Sequence, residues 1–307
     1  MKFGVVGVGN IAQKAYLPSY SSRRDQGEFL FATRNSAVQE KLRTKFGFSS
    51  VYDTLDQLIE AGIEACFIHT ATQTHFQLAK QCLTNNIHVF VDKPLSENLA
   101  EVAELQQLAK EKNLLLMVGF NRRFAPMVEY LKQQPNKRMI HLQKNRIAAE
   151  QSTDFVIYDL FLHLVDTAVY LLDEPIEKIS SKVNEKDGNM QWTSLELETA
   201  NQVAILSMDL VSGANTELYQ VTTQAGTYTV NNLVDLQIQA EGQTTNSTFG
   251  DWETTLAKRG FEQLVDTFIT GVKTGDATGL RQENVYQSHA LCQEILHQFH
   301  QQSAAKN

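Results

Sequence analysis

Short runs that are apolar throughout punctuate the first part of the chain. Phe3–Val6, Glu28–Thr33, Ala65–His69, His88–Val91 and Leu114–Val118 each read as a strand buried on both faces. Between them lie stretches with apolar residues at helical spacing. These are Ile11–Tyr16 as the start of a helix, Val38–Phe46, the face Leu55-Leu58-Ile59, His75–Leu83 and Leu99–Ala109. Buried strands separated by helices predict a parallel sheet covered on both sides.

Past residue 120 the pattern changes. Tyr158–Leu172 reads as a strongly apolar helix. Beyond it comes period-2 alternation: Ala204, Leu206, Met208 and Leu210 against Ile205, Ser207 and Asp209, then Val234, Leu236 and Ile238 against Asp235 and Gln237. Such one-faced strands predict an open, mostly antiparallel sheet with the apolar helix on one side. Val285, His289, Cys292, Leu296 and Phe299 mark a final docking helix. The fold class is α/β: a doubly wound parallel sheet followed by an α+β domain.

Composition narrows the classes. The 307 residues are 42% hydrophobic and 20% charged, as in a globular protein. A net charge of −8 gives no field favouring nucleic acid or an anionic membrane. No run is long and apolar enough to span a bilayer. Met1-Lys2-Phe3 leads straight into a strand, so no secretory leader is expected. Cys66, Cys82 and Cys292 are scattered and match no zinc spacing; they read as buried thiols in a reducing cytoplasm, with no metal site.

Gly7-Val8-Gly9-Asn10-Ile11-Ala12 follows the first strand and opens a helix, the G-x-G-x-x-A pattern in its strand–turn–helix setting. Gly7 allows the tight turn, Gly9 lets a pyrophosphate approach the backbone, and Ala12 keeps helix and strand close. The second strand ends in Thr33-Arg34, where an NAD site carries an acid. A guanidinium there suits a 2′-phosphate, so NADP(H) is favoured over NAD(H).

With Asp92-Lys93-Pro94, the string Gly119–Pro126, Asp159-x-x-x-His163 with Asp166, and Arg259-Gly260-Phe261, the chain resembles the Gfo/Idh/MocA oxidoreductases, most of all their MviM-type branch. The resemblance implies an NAD(P)-binding Rossmann domain over 1–120. It implies a substrate-binding and dimerisation domain over 121–307, whose C-terminal helix is a candidate to pack back on the first. It also implies a homodimer or homotetramer, with a sugar, polyol or related small molecule as substrate. Lys93 falls on the family's lysine near the nicotinamide and substrate hydroxyl. His163 is implied to contact the reacting group and Asp159 to position it. Thr70, His75 and Asn121 are implied near the cofactor, and Arg122 near cofactor or substrate. Asp92 replaces the family's Glu, and Phe161 stands where many members have Gly, bulk that would narrow the pocket.

On spacing alone, Asp159, His163 and Asp166 share one face of a helix. Arg122 is also readable as a salt-bridge partner, Arg123 more so, and Arg259 either binds an acidic or phosphorylated substrate group or pairs with a carboxylate. Two further readings stay open: a nicotinamide-binding regulator without catalysis, and non-redox net chemistry on a tightly held cofactor.

Overall fold

The computed structural model describes residues 1–304 and divides into two compact units. The first comprises Met1–Phe120 together with Phe261–Gln282; the second comprises Asn121–Gly260 and the chain from Glu283 onward.

The first unit holds six parallel strands: β1 (Lys2–Val6), β2 (Glu28–Ala32), β3 (Val51–Tyr52), β4 (Ala65–Ile68), β5 (His88–Val91) and β6 (Leu116–Val118). Their order is β3-β2-β1-β4-β5-β6, doubly wound, with the switch point beside β1. β3 carries no apolar run and escaped the hydrophobic pattern. The helix after β1 opens with a π-turn, Ala12–Tyr16, followed by Leu17–Ser21. Pro18 lacks the amide hydrogen an α-helix would use there, and a widened turn accommodates that loss.

The unit is completed by a distant segment. Helix Phe261–Thr274 packs an aromatic cluster, with Phe268 5.0 Å from the ring of Phe67 and Phe261 edge-on to Tyr16 at 5.5 Å. Arg23 forms a two-pronged pair with Asp266, its Nη2 2.6 Å from Oδ2. Gln282 accepts from the Val118 amide at 2.7 Å. The segment that returns to the first unit is therefore this one, whereas the last helix, Val285–Ala304, belongs to the second.

The second unit has eight strands: β7 (Met139–Asn145), β8 (Lys178–Lys186), β9 (Asn189–Glu198), β10 (Val203–Asp209), β11 (Thr216–Thr222), β12 (Thr227–Asn231), β13 (Asp235–Ala240) and β14 (Gln243–Ser247). The order is β14-β13-β12-β11-β7-β10-β9-β8, antiparallel except for β7 with β10. Ile140 and Leu142 of β7 and Ala204, Leu206 and Met208 of β10 face helix Leu162–Leu171 and form the core. The predicted apolar helix begins at Thr153 and contains a π-turn at Ile157–Phe161. Among the described residues no helix is long and apolar enough to cross a membrane. All three cysteines are buried and unpaired.

Candidate functional site

In the first unit the glycine turn has the shape its sequence requires. Gly7 sits at φ +85, and a Cβ there would lie 2.7 Å from the His69 and Thr70 backbone. That strand-to-strand approach admits only glycine. A Cβ on Gly9, by contrast, meets nothing within 4 Å. The backbone is thus open to a ligand where the helix begins. Ala12 is buried against the sheet, while Asn10 and Ile11 are exposed.

At the end of β2, Thr33 donates its amide to the Tyr52 carbonyl and accepts from the Asn35 amide through Oγ1. Asn35 caps the next helix by accepting from Val38. Arg34 projects outward between these two anchored residues, and among the described residues it makes no ion pair. The carboxylate at the end of β3, Asp53, accepts instead from Gln39 at 2.8 Å.

Two residues past the end of β5, Lys93 is half-buried and its amide donates to Asp92 Oδ1 at 3.0 Å. The Lys93–Pro94 bond is cis. Behind it lies a buried polar group, of which only Asp92 belongs to a sequence motif. Asp92 is 3.5 Å from both the Tyr16 hydroxyl and His69 Nδ1, and the Tyr20 hydroxyl is 2.7 Å from His69 Nε2. Burial, with the Asp92 charge next, holds the Tyr16 and Tyr20 hydroxyls well above the usual phenol range, so both remain protonated. Tyr16, Tyr20 and His69 come from two separate segments of the chain, so no local spacing marks them as a group.

His75, expected beside the cofactor, is buried with Nδ1 2.7 Å from the Pro94 carbonyl and Nε2 3.0 Å from that of Thr70. It braces the Thr70 turn against the Lys93-Pro94 turn, and reaches any ligand through them. Burial outweighs both carbonyls and pulls its pKa below the usual value.

In the second unit, Asp159 lies in the π-turn and His163 in the first turn of Leu162–Leu171, both half-buried. Asp166 does not share their surface. It is buried and accepts from Arg123 Nε at 2.9 Å, Arg123 Nη2 at 2.6 Å and Ser288 at 2.9 Å. The π-turn adds a residue to one turn, so the regular i, i+7 phase fails. Phe161 is wholly buried.

Asn121 donates from Nδ2 to the Arg259 carbonyl at 2.8 Å. Gly260, at φ +79, packs so close that a Cβ would be 2.3 Å from the Asn121 oxygen. Arg122 is buried and bound to Glu217: Nε and Nη2 both lie 2.7 Å from Oε1, and Nε is 2.8 Å from the Tyr219 hydroxyl. Glu217 pairs in register with Lys144 across β7 and β11. The one sequence signal for this cluster is charge at inward-facing strand positions.

An open glycine turn after β1, at the switch point of a doubly wound sheet, with a lysine past the end of β5 two strands away, is the arrangement of a dinucleotide-binding Rossmann domain. Residues 1–120 match the model described as an oxidoreductase family with an NAD-binding Rossmann fold, and 126–241 match a YceM-like C-terminal domain. The chain is 31% identical to YceM of Salmonella typhimurium over 89% of its own length and 90% of that protein's. It is 28% identical to the myo-inositol 2-dehydrogenase of Thermotoga maritima, over 58% of this chain and 57% of that one. The crystal structure of the dehydrogenase MviM from Clostridium difficile superposes with a TM-score of 0.91 at 30% identity, covering 97% and 99% of the two chains. The chain belongs to the Gfo/Idh/MocA oxidoreductase family. It is an oxidoreductase with an NAD-binding Rossmann domain.

Proposed function

We propose that the chain is an NADP(H)-dependent oxidoreductase working on a hydroxyl or carbonyl carbon of a sugar, polyol or related small molecule. The observation that carries the cofactor choice is Arg34, exposed beyond β2 and, among the described residues, tied to no carboxylate. The open backbone at Gly9 fits a dinucleotide pyrophosphate. Gly7, Gly9, Asn10, Ile11 and Ala12 would hold that group, and Thr33 and Arg34 the 2′-phosphate. Thr70, braced by His75, and Lys93 and Asn121 would hold the nicotinamide end.

Bound nicotinamide supplies hydride exchange with the substrate carbon. The protein's own part is the proton. Lys93 and His163 are the two groups able to take it from the hydroxyl in oxidation and return it in reduction. Asp159 orients the substrate or the imidazole, and Arg122 and Arg259 serve the substrate. Three buried thiols without disulfides fit a reducing cytoplasm. The family's sheet-to-sheet association would make a homodimer or homotetramer.

The test is a fluorescence titration with NADPH and NADH side by side. NADPH should bind more tightly, and Arg34→Ala should weaken NADPH at least about tenfold more than NADH, the loss of a charge-assisted contact. Equal losses for the two cofactors would remove Arg34 from recognition.

A further inference from the structure

We infer that Arg259 and the buried Arg122–Glu217 pair form an oxyanion subsite, selecting hydroxy substrates that carry a carboxylate or phosphate group. This rests on the reading that the second unit carries substrate, and it narrows the substrate class from neutral sugars to acidic or phosphorylated ones.

The argument begins with how Glu217 spends its oxygens. Oε1 takes Nε and Nη2 of Arg122 and the Tyr219 hydroxyl. Oε2 has no hydrogen-bond partner and lies 3.7 Å from Arg259 Nη1. Arg122 and Glu217 are both deeply buried and neutralise each other one to one. Arg259 is then a second cation drawn to a carboxylate that is already matched. Its side chain is 35% exposed, and among the described residues its guanidinium donates no hydrogen bond. Five N–H donors in a planar fork remain for a ligand, the geometry that meets carboxylate and phosphate oxygens two at a time.

Two further features point the same way. The arginine is held from behind, through the Asn121 bond to its carbonyl and the glycine contact at Gly260. A fixed backbone lowers the ordering cost of binding. The local field is also strongly positive. Burial pushes the Glu217 carboxyl up, yet Arg122 and Lys144 hold it down to about 2. The helix that carries His163 packs on β7, the strand of Lys144, so the same sheet face supports both groups.

Calorimetric titration of the full-length protein with inorganic phosphate, acetate and glycerol tests this, at low ionic strength with excess NADPH present. Phosphate or acetate should bind with Kd on the order of 1–10 mM and glycerol not at all. Arg259→Ala should weaken the anions at least tenfold, while Arg259→Lys keeps part of the binding. Raising chloride should weaken them as well. Preference between phosphate and acetate tells which oxyanion the subsite favours. Anion binding that ignores Arg259, or none up to about 50 mM, well above that Kd range, overturns the inference. NADPH fluorescence on the same proteins separates the two readings. Arg259-dependent anion binding without NADPH binding sustains the subsite and sinks the NADP(H) proposal; NADPH binding with Arg259-independent anion binding does the reverse.

Discussion

At the scale of single residues, Lys93 is the sharpest point of the proposal. Its amide is fixed by Asp92, and Asp92 is in turn set among Tyr16, His69 and the Lys93 backbone. General acid–base catalysis contributes about 10²–10⁴-fold. Lys93→Met should therefore lose turnover by at least about 10²-fold while NADPH titration stays near wild type. Turnover within a few-fold of wild type would take the lysine out of the proton step. Gly7, Gly9, Lys93 and Arg34 were legible because their chemistry is local: a turn, a strand end, a charge where an acid is usual. Glu217, Tyr219 and Lys144 were not, since Arg122 meets Glu217 across 95 positions of sequence. Only the charges of Glu217 and Lys144 on an inward strand face hint at a partner.

At the scale of elements, two departures from regular geometry place the candidate groups. The π-turn at Ile157–Phe161 shifts Asp159 out of the regular i, i+7 phase with Asp166, which is buried on Arg123 while Asp159 and His163 keep some exposure. Helical periodicity read from sequence assumes 3.6 residues per turn and cannot see the extra residue. The other departure is Gly260, left-handed and pressed against Asn121–Ala125 backbone. Gly260→Ala combines a strained φ with a collision that backbone cannot relieve, and should cost at least about 2 kcal/mol. A thermal melt should show the drop, and the oxyanion subsite should weaken with it, since Arg259 is the preceding residue. A melt unchanged within a degree would contradict the close packing. Strand identities were largely readable from their apolar runs, but β3 has only two residues, neither fully buried, and left no pattern to read.

At the scale of the whole molecule, burial keeps three histidines neutral. His75, His88 and His289 all have pKa values drawn below the usual 6.5, burial being the leading cause in each. In the unfolded chain each titrates near 6.5. Between that value and their lower folded values the unfolded state binds more protons, so stability falls with falling pH in that window. Melting temperature should hold level from pH 8 to 7 and decline from about 6.5 to 5. A rise over the lower interval would show that these side chains protonate without penalty in the folded protein.

The return of Phe261–Gln282 to the first unit has a consequence for synthesis. When residue 120 has left the ribosome, the ring faces of Phe67 and Phe90 still await Phe268, and Arg23 awaits Asp266. The first unit cannot finish folding until the second has been translated almost to its end. The nascent dinucleotide half must wait with an apolar flank uncovered, and chaperone demand should peak in that interval rather than at the chain's completion.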